Sequence, residues 1–445
     1  MGKLRTNIVV LALLIIAMPL QAKKVKKTVA DLWPDGTEIS QWFKEKDKID
    51  ITTLGKQYVI TDYGVKQDST LLQTEAIQAV IDKAAKDGGG VIVVPKGTFL
   101  SGALFFKQGT HLHLDEGGTI KGVDYIRWYP VKDSRMEGQN LKYFAALINA
   151  EGLNGFTITG KGTINGNGER FWREFWIRRQ YNRQCTNLEA MRPRLVFIRD
   201  CNDVRIEDVH LINSAFWTCH LYKCNRVKIL DTYFFAPHEP ADAKAPSSDA
   251  IDIDVCEDVL VDGCYLSVND DAIAVKGGKG TWADKDPNNG MNRNVLIQNC
   301  HYGFVHGCLT LGSESVHDYN IVLRNIEVEG ASRVLWLKMR PDTPQHYEYV
   351  TVENIKGSAA SVLVVRPWTQ FFKPGDRTDM PLSTCNNIKL KNLDMKCRTF
   401  FDVGASDKYQ LKDFIFEDLN IEASKDKSFD QSIINGCTVK NVEIK

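Results

Sequence analysis

Residues 201–211, CNDVRIEDVHL, recur as residues 224–234, CNRVKILDTYF, and again as residues 256–266, CEDVLVDGCYL. Each copy carries buried-type side chains at positions n, n+2, n+5 and n+7. These are Val204, Ile206, Val209 and Leu211 in the first copy, Val227, Ile229, Thr232 and Phe234 in the second, and Val259, Val261, Cys264 and Leu266 in the third. The pattern continues from Val295, Ile321, Val350, Ile388 and Phe414, with successive anchors 23 to 38 residues apart. Alternation by two marks a strand, and the slip of one between n+2 and n+5 marks a bend followed by a second strand. Asn or Asp stands near each bend (Asp208, Asp231, Asp262, Asn299, Asn325, Asn354, Asn392, Asp418), and both tolerate the left-handed backbone a bend needs. Units of this length cannot bury their apolar face alone and must stack on one another. The chain therefore reads as all-β, a right-handed parallel β-helix. A propeller or jelly roll would need hairpin turns at regular intervals, which the sequence lacks.

The rest of the chain fits one solenoid. It has 445 residues, 43% of them hydrophobic, and zero formal net charge. Length alone suggests two or three domains, but a solenoid grows without splitting. Zero net charge gives no reason to expect nucleic acid, and an acidic substrate would have to be met by local cations. Residues 1–22 read as an export signal: Lys3 and Arg5 open it, Ile8 to Met18 form a short apolar run, and Leu20-Gln21-Ala22 is the cleavage site. The run is too short for a spanning helix. No stable membrane insertion is expected, and the mature chain is expected in the periplasm or outside the cell. A monomer is expected. Residues 23–58 form a polar N-terminal extension with Trp33, Trp42 and Phe43, expected to pack on the main body, residues 59–445. The eleven cysteines are odd in number, and many fall at repeated coil positions. They are expected to be mostly unpaired core residues, with one or two disulfides at most. No Cys or His cluster has zinc spacing, and neither metal nor cofactor is expected.

Along the chain, Thr74 to Lys86 carries Ala76, Ile77, Val80, Ile81 and Ala84 at helical spacing and stops at Gly88-Gly89-Gly90. This helix is expected to cap the open end of the solenoid. Beyond residue 91 helical periodicity is nearly absent. Three long spacings mark insertions. Residues 169–193, ERFWREFWIRRQYNRQCTNLEAMRP, read as an excursion whose aromatics and arginines form a wall suited to sugar rings and carboxylates. Residues 279–293 and 366–384 are the others.

Chemistry concentrates in residues 246–276, PSSDAIDIDVCEDVLVDGCYLSVNDDAIAVK. Asp249 and the pair Asp270–Asp271 are 21 residues apart. Neighbouring coils lie about 4.8 Å apart, so one turn of chain brings all three carboxylates to one patch. Crowded carboxylates split their proton affinities and can supply an acid and a base. Asp252 and Asp254 alternate with Ile251 and Ile253 and are read as solvent-facing.

Several stretches resemble the polygalacturonase family of glycoside hydrolases, family 28. They are ITDYGVKQD at 60–68, GGGVIVVPKGTFLSG at 88–102, ITGKGTINGNG at 158–168, NSAFWTCHL at 213–221 and HYGFVHGCLTLGSES at 301–315. The family's Asn-Thr-Asp motif appears as Ser247-Ser248-Asp249, and its Asp-Asp motif as Asp270-Asp271. Its Gly-His-Gly appears as Val305-His306-Gly307, and its Arg-Ile-Lys as Trp336-Leu337-Lys338. The resemblance implies a pectin-lyase-like solenoid that hydrolyses α-linked galacturonic acid bonds in pectin, with inversion. Asp270 would be the general acid, crowding would raise its pKa, and Asp249 and Asp271 would activate water. His306 would tune protonation, and Lys338 would bind the substrate carboxylate. Inversion calls for carboxyl groups about 6.5–9.5 Å apart. Where the family has Arg, Trp336 offers an apolar face, and Arg333 and Arg340 are the candidates to replace the lost guanidinium. This departure makes a rhamnogalacturonan or decorated-pectin hydrolase the alternative. A β-helix lyase or a non-catalytic carbohydrate-binding solenoid fits less well, because neither needs the three aspartates together. The long insertions suggest a pocket closed at one end and hence exo-action.

Overall fold

Every anchor of the repeat pairs with the next one in parallel register: Val204 with Val227, then Val259, Val295, Ile321, Val350, Ile388 and Phe414. The n+7 positions do the same, from Leu211 through Phe234, Leu266 and Tyr302 to Val328. A third row runs Cys219, Ile251, Ile273, Leu309, Leu335, Leu363 and Phe401. The chain is thus a parallel β-helix whose inward rows fuse into one continuous apolar core. The structure is a computed structural model that describes Gly2 and residues 31–241, 243–371, 373 and 375–445. The export signal predicted over residues 1–22 lies, Gly2 aside, outside the described residues. Among the described residues no helix is long and apolar enough to cross a membrane.

The bends follow the sequence reading with one shift. Asp208, Asp231, Asn299, Asn325, Asn354, Asn392 and Asp418 all have positive φ. In the third copy that geometry falls on Gly263, at φ +71°, and not on Asp262. Gly263 holds the n+4 position that the others occupy, and Gly takes this region at no steric cost. The bend amides also form a ladder. Asn325 donates to Asn299 at 3.1 Å, Asn354 to Asn325 at 2.9 Å and Asn392 to Asn354 at 2.7 Å.

Helix α1, Thr74–Lys86, buries Ile77, Val80, Ile81 and Ala84 against the first coils. Residues 32–445 form one compact unit. The described part of the N-terminal extension lies along the outside, where Trp33, Ile39 and Phe43 pack on Leu230, Leu260, Leu296 and Val322. Lys46 pairs with Asp262 at 2.9 Å and Lys48 with Asp208 at 2.8 Å. All eleven cysteines are unpaired, ten of them buried.

The excursion at residues 169–193 is not a loop throughout. Glu169–Tyr181 is a helix, α2. Phe171, Trp172 and Phe175 are buried, and Trp172 donates its indole N–H to the Ser214 carbonyl at 2.9 Å. Arg173 pairs with Glu169 and Arg178 with Glu174, both one turn apart. The arginines read from the sequence as part of a wall are among the residues that stabilise the exposed face.

Candidate active site

Backbone register assembles the carboxylates. The Ala250 N–H donates to the Asp271 carbonyl at 3.0 Å, and the His306 N–H donates to the Asp270 carbonyl at 2.8 Å. The coils holding Asp249, Asp270–Asp271 and His306 are therefore consecutive. The nearest oxygens of Asp249, Asp270 and Asp271 lie within 4.8 Å of one another. The cause is alignment: Ile251 pairs directly with Ile273, so the two aspartates preceding them also stack.

Around this cluster is a cleft of about 300 Å³. Trp176 and Arg179 of α2, with Lys244 and Ser247, line it on one side. Trp336, Lys338, Trp368 and Phe371 line it on another. Asp270 is the carboxyl that meets the cleft, with 27% of its side chain exposed, whereas Asp249 and Asp271 are buried. His306 Nδ1 stands 3.5 Å from Asp270 Oδ1. Lys338 Nζ pairs with Asp271 Oδ2 at 2.8 Å and lies 4.0 Å from the Trp336 ring centre. Of the two replacement cations, Arg333 stacks on Trp336 at 3.8 Å and is not among the cleft-lining residues. Arg340 is locked to both oxygens of Asp342 at 2.7 Å and donates to the Gln370 and Phe371 carbonyls. It anchors the insertion at 366–384 and is not open to a substrate carboxylate.

Proton affinities are distributed differently from the sequence expectation. Burial pushes Asp270 up, but the hydrogen bond and charge of His306, with Lys338 and Lys276, outweigh it and hold the carboxyl at about 2. Asp249 is the one raised well above its usual value, by burial and then by the charges of Asp270 and Asp252. Burial lowers His306, but Asp270 and then Asp271 raise it above 6.5 overall.

Beneath the cleft lies a second buried layer. Asp252 and Asp254, expected to face solvent, are fully buried. They do point out of the solenoid, but the hairpin Val131–Met136 and Gln139–Phe144 covers Asp254. From it Arg135 grips both Asp254 oxygens, at 3.0 and 3.2 Å. The Arg194 guanidinium donates to His220 Nδ1 at 2.7 Å, so His220 Nε2–H donates to Asp254 Oδ2 at 3.3 Å. Lys276 was not singled out in the sequence. It stacks on Asp254 in register, and its Nζ lies 3.2 Å from Asp252, 3.7 Å from Asp249 and 3.8 Å from Glu314. Carrying the strand register one coil further, from Asp254 to Lys276, is the signal that would have found it.

Gly307 is sterically required. A Cβ there would come 2.8 Å from Asp271 Oδ1 and would overlap the Thr310 hydroxyl. Gly307→Ala is expected to push Asp271 off its position and cut kcat by about 10²-fold. The same variant should melt within a few degrees of wild type, and unchanged kcat would show that Asp271 need not hold its place.

Carboxyls of split proton affinity on the floor of a cleft are the groups that general acid–base chemistry needs. The chain matches the model of glycosyl hydrolases family 28 over residues 89–440 and belongs to that family. It is 27% identical over 228 residues to a probable polygalacturonase of Vitis vinifera, covering 49% of this chain and 44% of that protein. It is 25% identical over 282 residues to an endo-polygalacturonase of Pectobacterium parmentieri, covering 62% and 66% respectively. The chain thus spans about half to two thirds of the length of these relatives. Among solved structures, a hyperthermoactive exopolygalacturonase from Thermotoga maritima shares the fold. Its TM-score is 0.68 at 22% identity, over 83% of this chain and 88% of that one.

Proposed function

We propose that the protein hydrolyses α-linked galacturonic acid bonds in pectin and does so outside the cytoplasm, as the leader at residues 1–22 suggests. The observation that carries the reading is the meeting of Asp249, Asp270 and Asp271 with His306 and Lys338 in one cleft. The names of the relatives point to galacturonan and do not favour a rhamnogalacturonan backbone. A lyase needs a free basic side chain. Beside the three aspartates, Lys338 is paired with Asp271 and Arg340 with Asp342, so neither of these two is a free base; Arg179 and Lys244 line the outer cleft.

In the mechanism, Asp270 protonates the leaving oxygen because it is the carboxyl of the three that faces the cleft. Its low pKa in the free protein is reversed on binding: an anionic sugar and the loss of water both favour the neutral carboxyl. His306 holds the proton side in place. Asp249 and Asp271 form the base side and orient the attacking water. Trp368 supplies a flat apolar face for a sugar ring, Trp336 holds Lys338 and Arg333 against its ring, and Lys338 meets a uronate. Inversion rests on the resemblance to polygalacturonases, not on the carboxylate spacing, and is tested by NMR of the first anomer released: an α-product would mean retention.

The pH profile follows from the two raised groups. Asp249 must be ionised, so the acid limb lies above 3.8; the His306–Asp270 pair must keep a proton, so activity falls at a pH above 6.5. In His306→Gln the alkaline limb should move. The deciding experiment is product analysis on galacturonan oligomers. Release of galacturonic acid or its oligomers supports hydrolysis, and unsaturated products absorbing in the ultraviolet would refute it.

A further inference from the structure

Behind Asp249 lies a carboxyl that the mechanism above does not use. Asp252 is fully buried, and among the described residues the only polar side chains its carboxyl meets at close range are Lys276 and Asp249, neither in good hydrogen-bond geometry. Its nearest cation is the Lys276 ammonium, 3.2 Å from Oδ1. That ammonium is itself closed in: Asp249 is 3.7 Å away, Glu314 3.8 Å, and the Trp217 ring centre lies 4.5 Å from it. Lys276 therefore spans Asp249 and Asp252 at the floor of the cleft, with only 5% of its side chain exposed.

The groups facing this pair come from every neighbouring coil. Asp254, two residues along the same strand, is neutralised by Arg135. His220 is the register partner of Asp252 on the preceding coil, and burial keeps it neutral down to about 3. Cys219 and the Arg194 guanidinium also feel the charge of Asp252. Asp271 and Asp270 face Lys276 from its own coil, and Glu314 from the next. The carboxyls of Asp249, Asp252, Asp270 and Asp271 thus meet Lys276, Lys338 and His306, with Arg333 and Arg194 further off, while Lys279 and Arg340 also act on Glu314. A buried carboxylate without a counter-charge is costly and takes up a proton instead.

We infer that Asp252 and Lys276 are positioning residues for the hydrolytic step, a nearly buried pair behind Asp249 that sets its protonation. The inference rests on Asp249 acting as base in the reaction proposed above. Two directions support it. Burial pushes Asp252 up to about 7 against the pull of Lys276. Asp249 is raised by burial, by Asp270 and by Asp252, and lowered by Lys276. The two partners therefore act on Asp249 with opposite sign.

The opposition supplies the test. The pH dependence of kcat on trigalacturonic acid is measured for wild type, Asp252→Asn and Lys276→Met, with thermal melting of each. Asp252→Asn removes the carboxyl that shares a proton with Asp249 and raises it, so the acid limb moves to lower pH. Lys276→Met removes the counter-charge, so the limb moves to higher pH. Each shift is expected to be about one to three units, with KM within about twofold. Limbs that stay in place, or that move in the same direction, overturn the inference. If Lys276→Met does not fold, wild type and Asp252→Asn labelled with ¹³C at the Asp carboxyl are titrated by NMR. A carboxyl titrating near neutral pH must be present in wild type and lost in the variant, and its absence from wild type overturns the inference. Wild type that releases no product refutes the hydrolytic reading instead, and the same NMR titration then decides the pair by itself.

Discussion

Asp270→Asn lowers kcat on galacturonan by about 10²- to 10⁴-fold, the usual contribution of a positioned general acid. The amide keeps the size and the cleft-facing position of the carboxyl, but it cannot pass a proton to the leaving oxygen. KM should change little, because Lys338, Trp336 and Trp368 remain in place to hold the sugar. The control is a galacturonide with a leaving group that departs without protonation. On that substrate Asp270→Asn should recover most of the lost rate, whereas Asp249→Asn should not, because water would still lack its base. Equal loss on both substrates would remove Asp270 from the acid role. Full activity on the natural substrate would remove it from the mechanism.

Arg135→Met destabilises the fold by about 3–5 kcal/mol, the cost of leaving one member of a buried ion pair without its partner. Arg135 and Asp254 have no exposed side-chain surface. The arginine also ties the covering hairpin to the insertion at 279–293, through Asn289 at 2.8 Å. Chemical denaturation at neutral pH reads the loss. The pH dependence separates charge from packing. Burial pushes Asp254 up, but the Arg135 charge and His220 hold it at about 2. A depressed carboxyl contributes stability that is present above 3.8 and is lost as pH falls through about 2. His220 is also depressed, to about 3 by burial, so its contribution is present above 6.5 and fades as pH falls from there toward 3. In Arg135→Met the Asp254 part should shrink, and acidification between 3.8 and 2 should cost the variant less than wild type. Wild-type stability in the variant would mean that the hairpin holds the layer closed without its arginine.

The coils were legible because one physical rule, alternation interrupted by a bend, repeats with enough copies to fix the register from Val204 to Phe414. The clustering of Asp249, Asp270 and Asp271 was legible for the same reason, since one coil of chain returns each to the same edge. Asp252 and Asp254 were misread because alternation reports only that a side chain leaves the solenoid. Whether it meets water depends on a hairpin more than a hundred residues earlier in the chain. Helix α2 was missed although Phe171, Trp172, Phe175 and Trp176 fall at i, i+1, i+4 and i+5, because its aromatics and arginines were read together as a binding wall. Arg340 looked available because its partner, Asp342, matters only once the insertion at 366–384 is folded over it. The pKa of Asp270 was misjudged because crowding was weighed among the acids alone, without His306 and Lys338.

The unpaired cysteines give the protein a built-in set of reporters. Nine thiols are sealed inside the stack at intervals from Cys201 to Cys397, Cys185 is buried under the insertion at 169–193, and Cys437 sits partly open near the last coil. Because burial pushes thiols such as Cys219, Cys308 and Cys385 far toward the protonated form, alkylation of each requires its own coil to part from its neighbours. Mass spectrometry of timed labelling would then chart, thiol by thiol, the order in which the stack comes apart, with no probe added to the chain.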